Sequence, residues 1–247
     1  MLATNIPASA APSVSTRTLK VGGLVPFTAT DYPGKLAAVV FVQGCPWRCS
    51  YCHNPHLQLR TVEGALAWKD VLQLLERRVG LVDAVVFSGG EATTDGNLGD
   101  AIREVREMGF DIGLHTAGTY PRRLAGLLPL IDWVGFDIKA PFDSYHRITA
   151  IGDSWRQARN SAELILASGI PYEFRTTIHP SLLHERDLLS LAHTLVRMGV
   201  QNYALQLFRP QGCKDAKLNA VTTAGYPGKA ILEQITAMFP QFTLRSA

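Results

Sequence analysis

Three of the chain's four cysteines, Cys45, Cys49 and Cys52, fall within eight residues, in the stretch GCPWRCSYCHNP. Thiols crowded in this way read as metal ligands. A structural zinc would ask for a fourth ligand to close its tetrahedron. His53 is adjacent to Cys52 and would struggle to close it from the same short loop; His56 could, which keeps a zinc module open. Thiolates also hold iron–sulfur clusters. Three of them on a four-iron cubane leave one iron free, and an open coordination position marks chemistry where a closed shell marks structure. Cys213 is far along the chain and reads as a loop cysteine. One isolated and three clustered cysteines do not make an even disulfide framework, so a reducing, cytoplasmic compartment is expected.

Other polar residues gather in short segments. FSGGEA carries Gly89, Gly90 and Glu91: glycines let backbone amides approach a ligand closely, and Glu91 adds a carboxylate. The same residues also suit a tight strand-to-helix turn. In FDIKAPFD, Asp137 and Lys139 alternate with Phe136 and Ile138 and so share one face, as an ion pair or as ligand contacts. Two unpaired ionisable groups there would be costly to bury. LHTAGT offers Thr116, with His115 read as packing; FRTTIHP offers Arg175 and His179; LQLFRPQGC offers Gln206 and Arg209. Tyr51 puts a flat aromatic face between two thiols, suited to stacking on a ligand ring or to packing the loop.

These segments share a position. Apolar runs at 36–43, 83–89, 111–116, 133–139, 172–178 and 203–208 read as buried parallel strands. Amphipathic stretches at 68–78, 98–108, 121–128, 154–168, 185–198 and 228–238 read as helices, as Val71, Leu74 and Leu75 illustrate. Gly109, Gly169 and Gly199 stand where three of the helices should stop in a left-handed cap. Six strand–helix units imply a parallel α/β sheet with right-handed crossovers. Every polar segment follows the carboxyl end of a strand, the catalytic rim of a barrel-like sheet. The expectation is one domain over 19–247, a partial (β/α)6 barrel with helices outside.

In this context the C-x3-C-x2-C loop resembles the radical S-adenosylmethionine (SAM) superfamily. The resemblance implies a 4Fe–4S cluster on Cys45, Cys49 and Cys52, with SAM chelating the free iron through its amino and carboxylate groups. One electron then cleaves SAM to methionine and a 5′-deoxyadenosyl radical. Gly89, Gly90 and Glu91 match the family's GGE segment, which holds the methionine amino group. Asp137 and Lys139 match the D-x-K segment of glycyl-radical-enzyme activases. The resemblance also places Tyr51, Cys52, His53, Thr116, Arg175 and Gln206 about the cofactors. TATDYPG at 28–34, with Tyr51 and His53-Asn54-Pro55 in the cysteine loop, is most similar to anaerobic ribonucleoside-triphosphate reductase activating proteins. The similarity spans roughly 19–212. It implies a glycyl radical enzyme as partner, with the anaerobic ribonucleotide reductase large subunit foremost, and a reduced flavodoxin or ferredoxin as electron donor. The alternative within the superfamily is an enzyme acting on a small molecule, like the 7-carboxy-7-deazaguanine synthases, which commonly continue with Asp-Thr after the third cysteine.

Composition closes other classes. The net charge is +3 and no basic run exceeds two residues, so no nucleic-acid footprint is expected. No apolar run approaches the roughly 18 residues of a membrane span. The first eighteen residues, rich in Ala, Ser, Thr and Pro, are expected to be a flexible tail rather than a signal peptide.

Overall fold

The structure, a computed structural model, describes residues 18–61 and 64–246, and all of the tail expected at 1–18 except Thr18 lies outside them. Eight strands form one sheet in chain order: β1 (Val21–Thr28), β2 (Ala37–Val42), β3 (Ala84–Gly89), β4 (Asp111–Thr116), β5 (Trp133–Asp137), β6 (Tyr172–Ile178), β7 (Asn202–Leu207) and β8 (Gln241–Arg245). β1 runs antiparallel to β2; every later pair is parallel. The helices are α1 (Trp68–Glu76), α2 (Leu98–Glu107), α3 (Pro121–Leu127), α4 (His146–Thr149), α5 (Ser154–Ser168), α6 (Glu185–Arg197), α7 (Ala216–Asn219) and α8 (Lys229–Met238). The expected strands coincide with β2 to β7, and the expected helices with α1, α2, α3, α5, α6 and α8. Gly109, Gly169 and Gly199 all take the left-handed backbone expected of them.

Alternation along the strands builds two apolar layers. Val40, Phe87, Leu114, Phe136, Phe174 and Leu205 are fully buried on the helix-facing side. They meet helix residues repeated every three or four positions, such as Leu188, Leu191, Ala192 and Leu195 of α6. The other face carries a smaller cluster of Ala37, Val39, Ala84, Val86 and Trp133, closed by Tyr32. The Tyr32 ring lies 5.2 Å from that of Trp133. The TATDYPG segment therefore turns inward after β1 and lays Tyr32 on this smaller apolar layer.

The two edge strands were not foreseen. β1 contains Gly22, Gly23 and Pro26, which weaken a strand reading. Its pairing with β2 shifts register at both places, between Val21 and Gly23 and between Val25 and Thr28, and Pro26 falls within the second shift. β8 is short and mostly exposed, so it lacks the apolar run that marked the central strands. No helix among the described residues is long and apolar enough to cross a membrane.

Candidate functional site

The cysteine loop leaves the carboxyl end of β2 and is fastened at several points. Cys45 N donates to Gln58 O at 3.1 Å, Cys52 N to Cys49 O at 3.1 Å, and Arg48 N to Thr149 O of α4 at 2.9 Å. The Arg48 guanidinium folds back onto the Cys45 carbonyl at 2.6 Å. Trp47 is buried and meets the Tyr145 ring edge-on at 5.7 Å. Burial and the Glu91 charge push the Cys45 thiol up to about 12, with smaller contributions from the other groups around it. Burial raises Cys49 too, opposed by Lys139 and reinforced by Cys52 and Asp137.

Cys45, Cys49 and Cys52 sit on this one short loop, and the Cys49 thiol is felt by Cys45 and itself feels Cys52. No three His, Cys, Asp or Glu side chains among the described residues converge closely enough to hold a single metal ion. His56 is exposed. The donor set is therefore three thiols spread along one loop, which suits a polynuclear cluster better than one tetrahedral ion with sulfurs about 2.3 Å away. Ser50 Oγ, between the second and third thiols, is buried with no partner in the protein. A buried hydroxyl of this kind calls for an acceptor, and the sulfides of a bound cluster would supply one. On both grounds the residues fit the group.

Lys139 joins this loop from the end of β5. Its backbone N donates to Tyr145 Oη at 3.1 Å. Its ammonium lies 3.4 Å from Asp137 Oδ2 and 5.5 Å from the centre of the Tyr51 ring. Burial works against its charge, but Tyr51, Asp137 and Cys49 together hold it well above the usual lysine range. Tyr51 is buried, and burial raises its phenol. Its ring packs beneath the cysteine loop with Lys139 over it.

In the SGGE segment both glycines lie backbone against backbone. A Cβ on Gly89 would come 2.2 Å from Val42 O, and one on Gly90 2.6 Å from Gly44 O and 2.7 Å from Leu57 O. The glycines let β3 pass flush against the base of the cysteine loop. Glu91 is 2% exposed. Its Oε1 accepts from Thr93 N at 3.2 Å, Thr93 Oγ1 at 2.7 Å and Thr116 Oγ1 at 2.7 Å; its Oε2 accepts from Ala117 N at 2.9 Å. Glu91 and Thr116 thus brace the ends of β3 and β4 against each other.

His53, Arg175 and Gln206 line one cavity of 510 Å³, with Thr177, Arg209 and Arg245. Ala29, Thr30, Asp31 and Pro33 after β1, Leu207 of β7 and Ser246 after β8 complete its wall, so the sheet brings its two edges to the same opening. Arg175 is nearly buried, with Nε donating to Glu173 Oε1 at 2.9 Å and the guanidinium 4.9 Å from the Trp133 ring. His115 Nε2 bonds the Asp31 carbonyl at 2.8 Å, and burial with the Arg175 charge holds the imidazole well below the usual histidine range.

Sequence reasoning missed Glu173 and Arg245. Arg245 grips Glu173 with both terminal nitrogens, at 2.6 and 2.8 Å. The only sequence signal was a lone glutamate two positions before Arg175 in an apolar strand, which asks for a cation. Arg245→Ala should lower stability by about 1–2 kcal/mol, less than a fully buried pair because the arginine is one-third exposed. The urea midpoint checks this; an unchanged midpoint rejects it.

Residues 39–192 match the radical SAM superfamily. The chain is 31% identical over 205 residues to a Methanocaldococcus jannaschii protein named for glycyl-radical enzyme activation, covering 79% of this chain and 82% of that one. It is 32% identical over 163 residues to the pyruvate formate-lyase-activating enzyme of Clostridium pasteurianum, covering 64% and 67%. Among solved structures, SuiB of Streptococcus suis bound to S-adenosylmethionine superposes with a TM-score of 0.61 at 11% identity, over 83% of this chain and 48% of SuiB. The chain thus spans about half of SuiB, and that likeness speaks for the fold.

Proposed function

The chain belongs to the radical SAM superfamily and to its glycyl-radical-enzyme activating branch, and from that premise we propose that it installs a glycyl radical on the large subunit of an anaerobic ribonucleoside-triphosphate reductase. The observation that carries the reading is the convergence of the cysteine loop and the polar cavity on one rim. His53 follows the third thiol directly and is itself part of the cavity wall. That cavity opens where the two sheet edges come together, which gives a loop of a large partner a way in. The TATDYPG segment and the Tyr51 and His53-Asn54-Pro55 residues of the cysteine loop favour the reductase as partner.

The superfamily uses a 4Fe–4S cluster and SAM, which when bound supply a 5′-deoxyadenosyl radical able to take a hydrogen atom from a glycine Cα. Cys45, Cys49 and Cys52 would hold the cluster. Lys139 sets a cation beside Cys49 and the Tyr51 ring, where it offsets the negative charge of bound thiolates. The backbone at Gly89 and Gly90 shapes the floor beside Cys45, and Glu91 with Thr116 keeps that floor rigid. Asp137 sits opposite Arg175 in the strand register; together with Gln206 and His53 they would orient SAM by charge and hydrogen bonding. Holding the partner's glycine within about 3–3.5 Å of the reacting carbon is the geometric task of the cavity wall. An electron donor such as reduced flavodoxin or ferredoxin completes the set.

The test is anaerobic. The iron- and sulfide-reconstituted protein, with SAM and a reductant, is mixed with a reductase large subunit and, separately, with pyruvate formate-lyase, the partner class favoured by the similarity to the Clostridium enzyme. Release of 5′-deoxyadenosine and a glycyl radical signal by electron paramagnetic resonance (EPR) are expected with the reductase, in at least tenfold excess over the other arm. A signal with pyruvate formate-lyase alone moves the assignment to that partner. Stimulation of SAM cleavage by a pterin, with neither protein activated, overturns the activase reading for the small-molecule alternative.

A further inference from the structure

The segment RPQGC after β7 does more than end a strand. Cys213 N donates to Pro210 O at 3.1 Å, closing a tight turn in which Gly212 has φ +85°. Glycine at this third position is what a type II turn requires. This turn lies flush on the cysteine loop. A Cβ on Gly212 would stand 2.2 Å from His53 O. The His53 ring stacks on Phe208 at 5.7 Å, and its Nε2 bonds Arg209 O at 3.0 Å. On the turn's other side, Cys213 Sγ donates to Ser50 O at 3.7 Å. Four contacts therefore span Ser50 to His53, the two residues that bracket Tyr51 and Cys52.

The turn is itself anchored. Phe208 N donates to Ile178 O at 3.0 Å. His179 is fully buried, and its ring meets Phe208 edge-on at 5.1 Å. Ser181 N donates to His179 Nδ1, which leaves Nε2 to donate to Leu218 O at 3.2 Å. Asn219 Nδ2 donates to Cys213 O at 3.0 Å, and Asp215 N to Cys213 Sγ at 3.4 Å. His53, Phe208 and His179 form a chain of ring contacts, the first stacked and the second edge-on, running from the cysteine loop to the end of β6.

We propose that the 210–213 turn is a clasp that positions Cys52, so that Gly212 and Cys213 act as positioning residues controlling how firmly the cluster is held. This rests on the cluster assignment above. A third ligand on a loop that could swing would exchange its iron readily; the flush backbone at Gly212 and the Cys213 contact remove that freedom. Cys213 is then a brace for the loop rather than a fourth cluster ligand.

The experiment compares Gly212→Ala with Gly225→Ala in the full chain. Gly225 has φ +75° and nothing within 4 Å of its Cβ position, so it carries similar backbone strain without the collision. After anaerobic reconstitution, iron release to a chelator is timed and the EPR spectrum of the reduced cluster is recorded. Gly212→Ala should release iron about tenfold faster and show altered g-values, while Gly225→Ala behaves as the parent. Equal release rates and spectra for parent and Gly212→Ala overturn the clasp, as does equal acceleration in both variants. If Gly212→Ala does not fold, Cys213→Ala decides: about threefold faster release supports the clasp, and an unchanged rate refutes it. A parent protein that takes up no cluster fails the assignment instead, which keeps the two failures apart.

Discussion

Cys49→Ala should take up no stable four-iron cluster and cleave SAM only at background, while its thermal midpoint stays within a few degrees of the parent's. The two expectations separate because the loop's fold does not depend on this sulfur. Its turn is closed by backbone bonds, by Trp47 against Tyr145 and by the Arg48 link to α4. Cys49 is a partly buried side chain against the main core. Truncating one sulfur there costs about 1 kcal/mol, or about 2–4 °C in a domain of this size. The cluster, by contrast, would keep two of its three thiolates and lose one whose charge Lys139 offsets. Iron per chain, visible absorption and 5′-deoxyadenosine yield measure the loss. A variant that still cleaves SAM at even a tenth of the parent rate would remove Cys49 from the ligand set.

The sequence was most informative where burial and chemistry impose strict residue types. β2 to β7 are covered on both faces, so their apolar runs stand out; the thiol spacing stands out because little else needs it. The edges were harder. β1 bears two glycines and a proline, because it can bend and shift register where no strand lies beyond it. β8 is half wet, and its Arg245 is meaningful only through Glu173, which lies 72 positions earlier. Spacing patterns cannot reveal such pairings. His179, which the sequence offers beside Arg175 without a partner, becomes intelligible only once Leu218 and Phe208 are folded onto it. The GGE segment stands out in the sequence by its paired glycines, but only the fold shows that they touch the backbone of Val42, Gly44 and Leu57.

Glu91→Ala should weaken SAM binding about a hundredfold, lower the thermal midpoint by about 10 °C, and leave cluster assembly nearly intact. The carboxylate is buried and meets four protein donors. Removing it strands the amides of Thr93 and Ala117, at about 1–3 kcal/mol each, a large share of a typical 5–15 kcal/mol of stability. The two hydroxyls can turn elsewhere, so they add less. With the brace gone, the ends of β3 and β4 lose their fixed spacing, and any ligand held by the backbone there loses a preorganised surface. The cysteines leave β2 on a different loop with its own bonds, so iron uptake should survive. Glu91→Gln sorts brace from ligand. It keeps the shape and one acceptor oxygen but turns an amide group toward Thr93 and Thr116 or toward Ala117. If bracing governs affinity, Gln falls between parent and Ala in both midpoint and SAM affinity, and the two quantities fall together. An Ala variant that binds SAM as tightly as the parent would strip Glu91 of any part in the cofactor site.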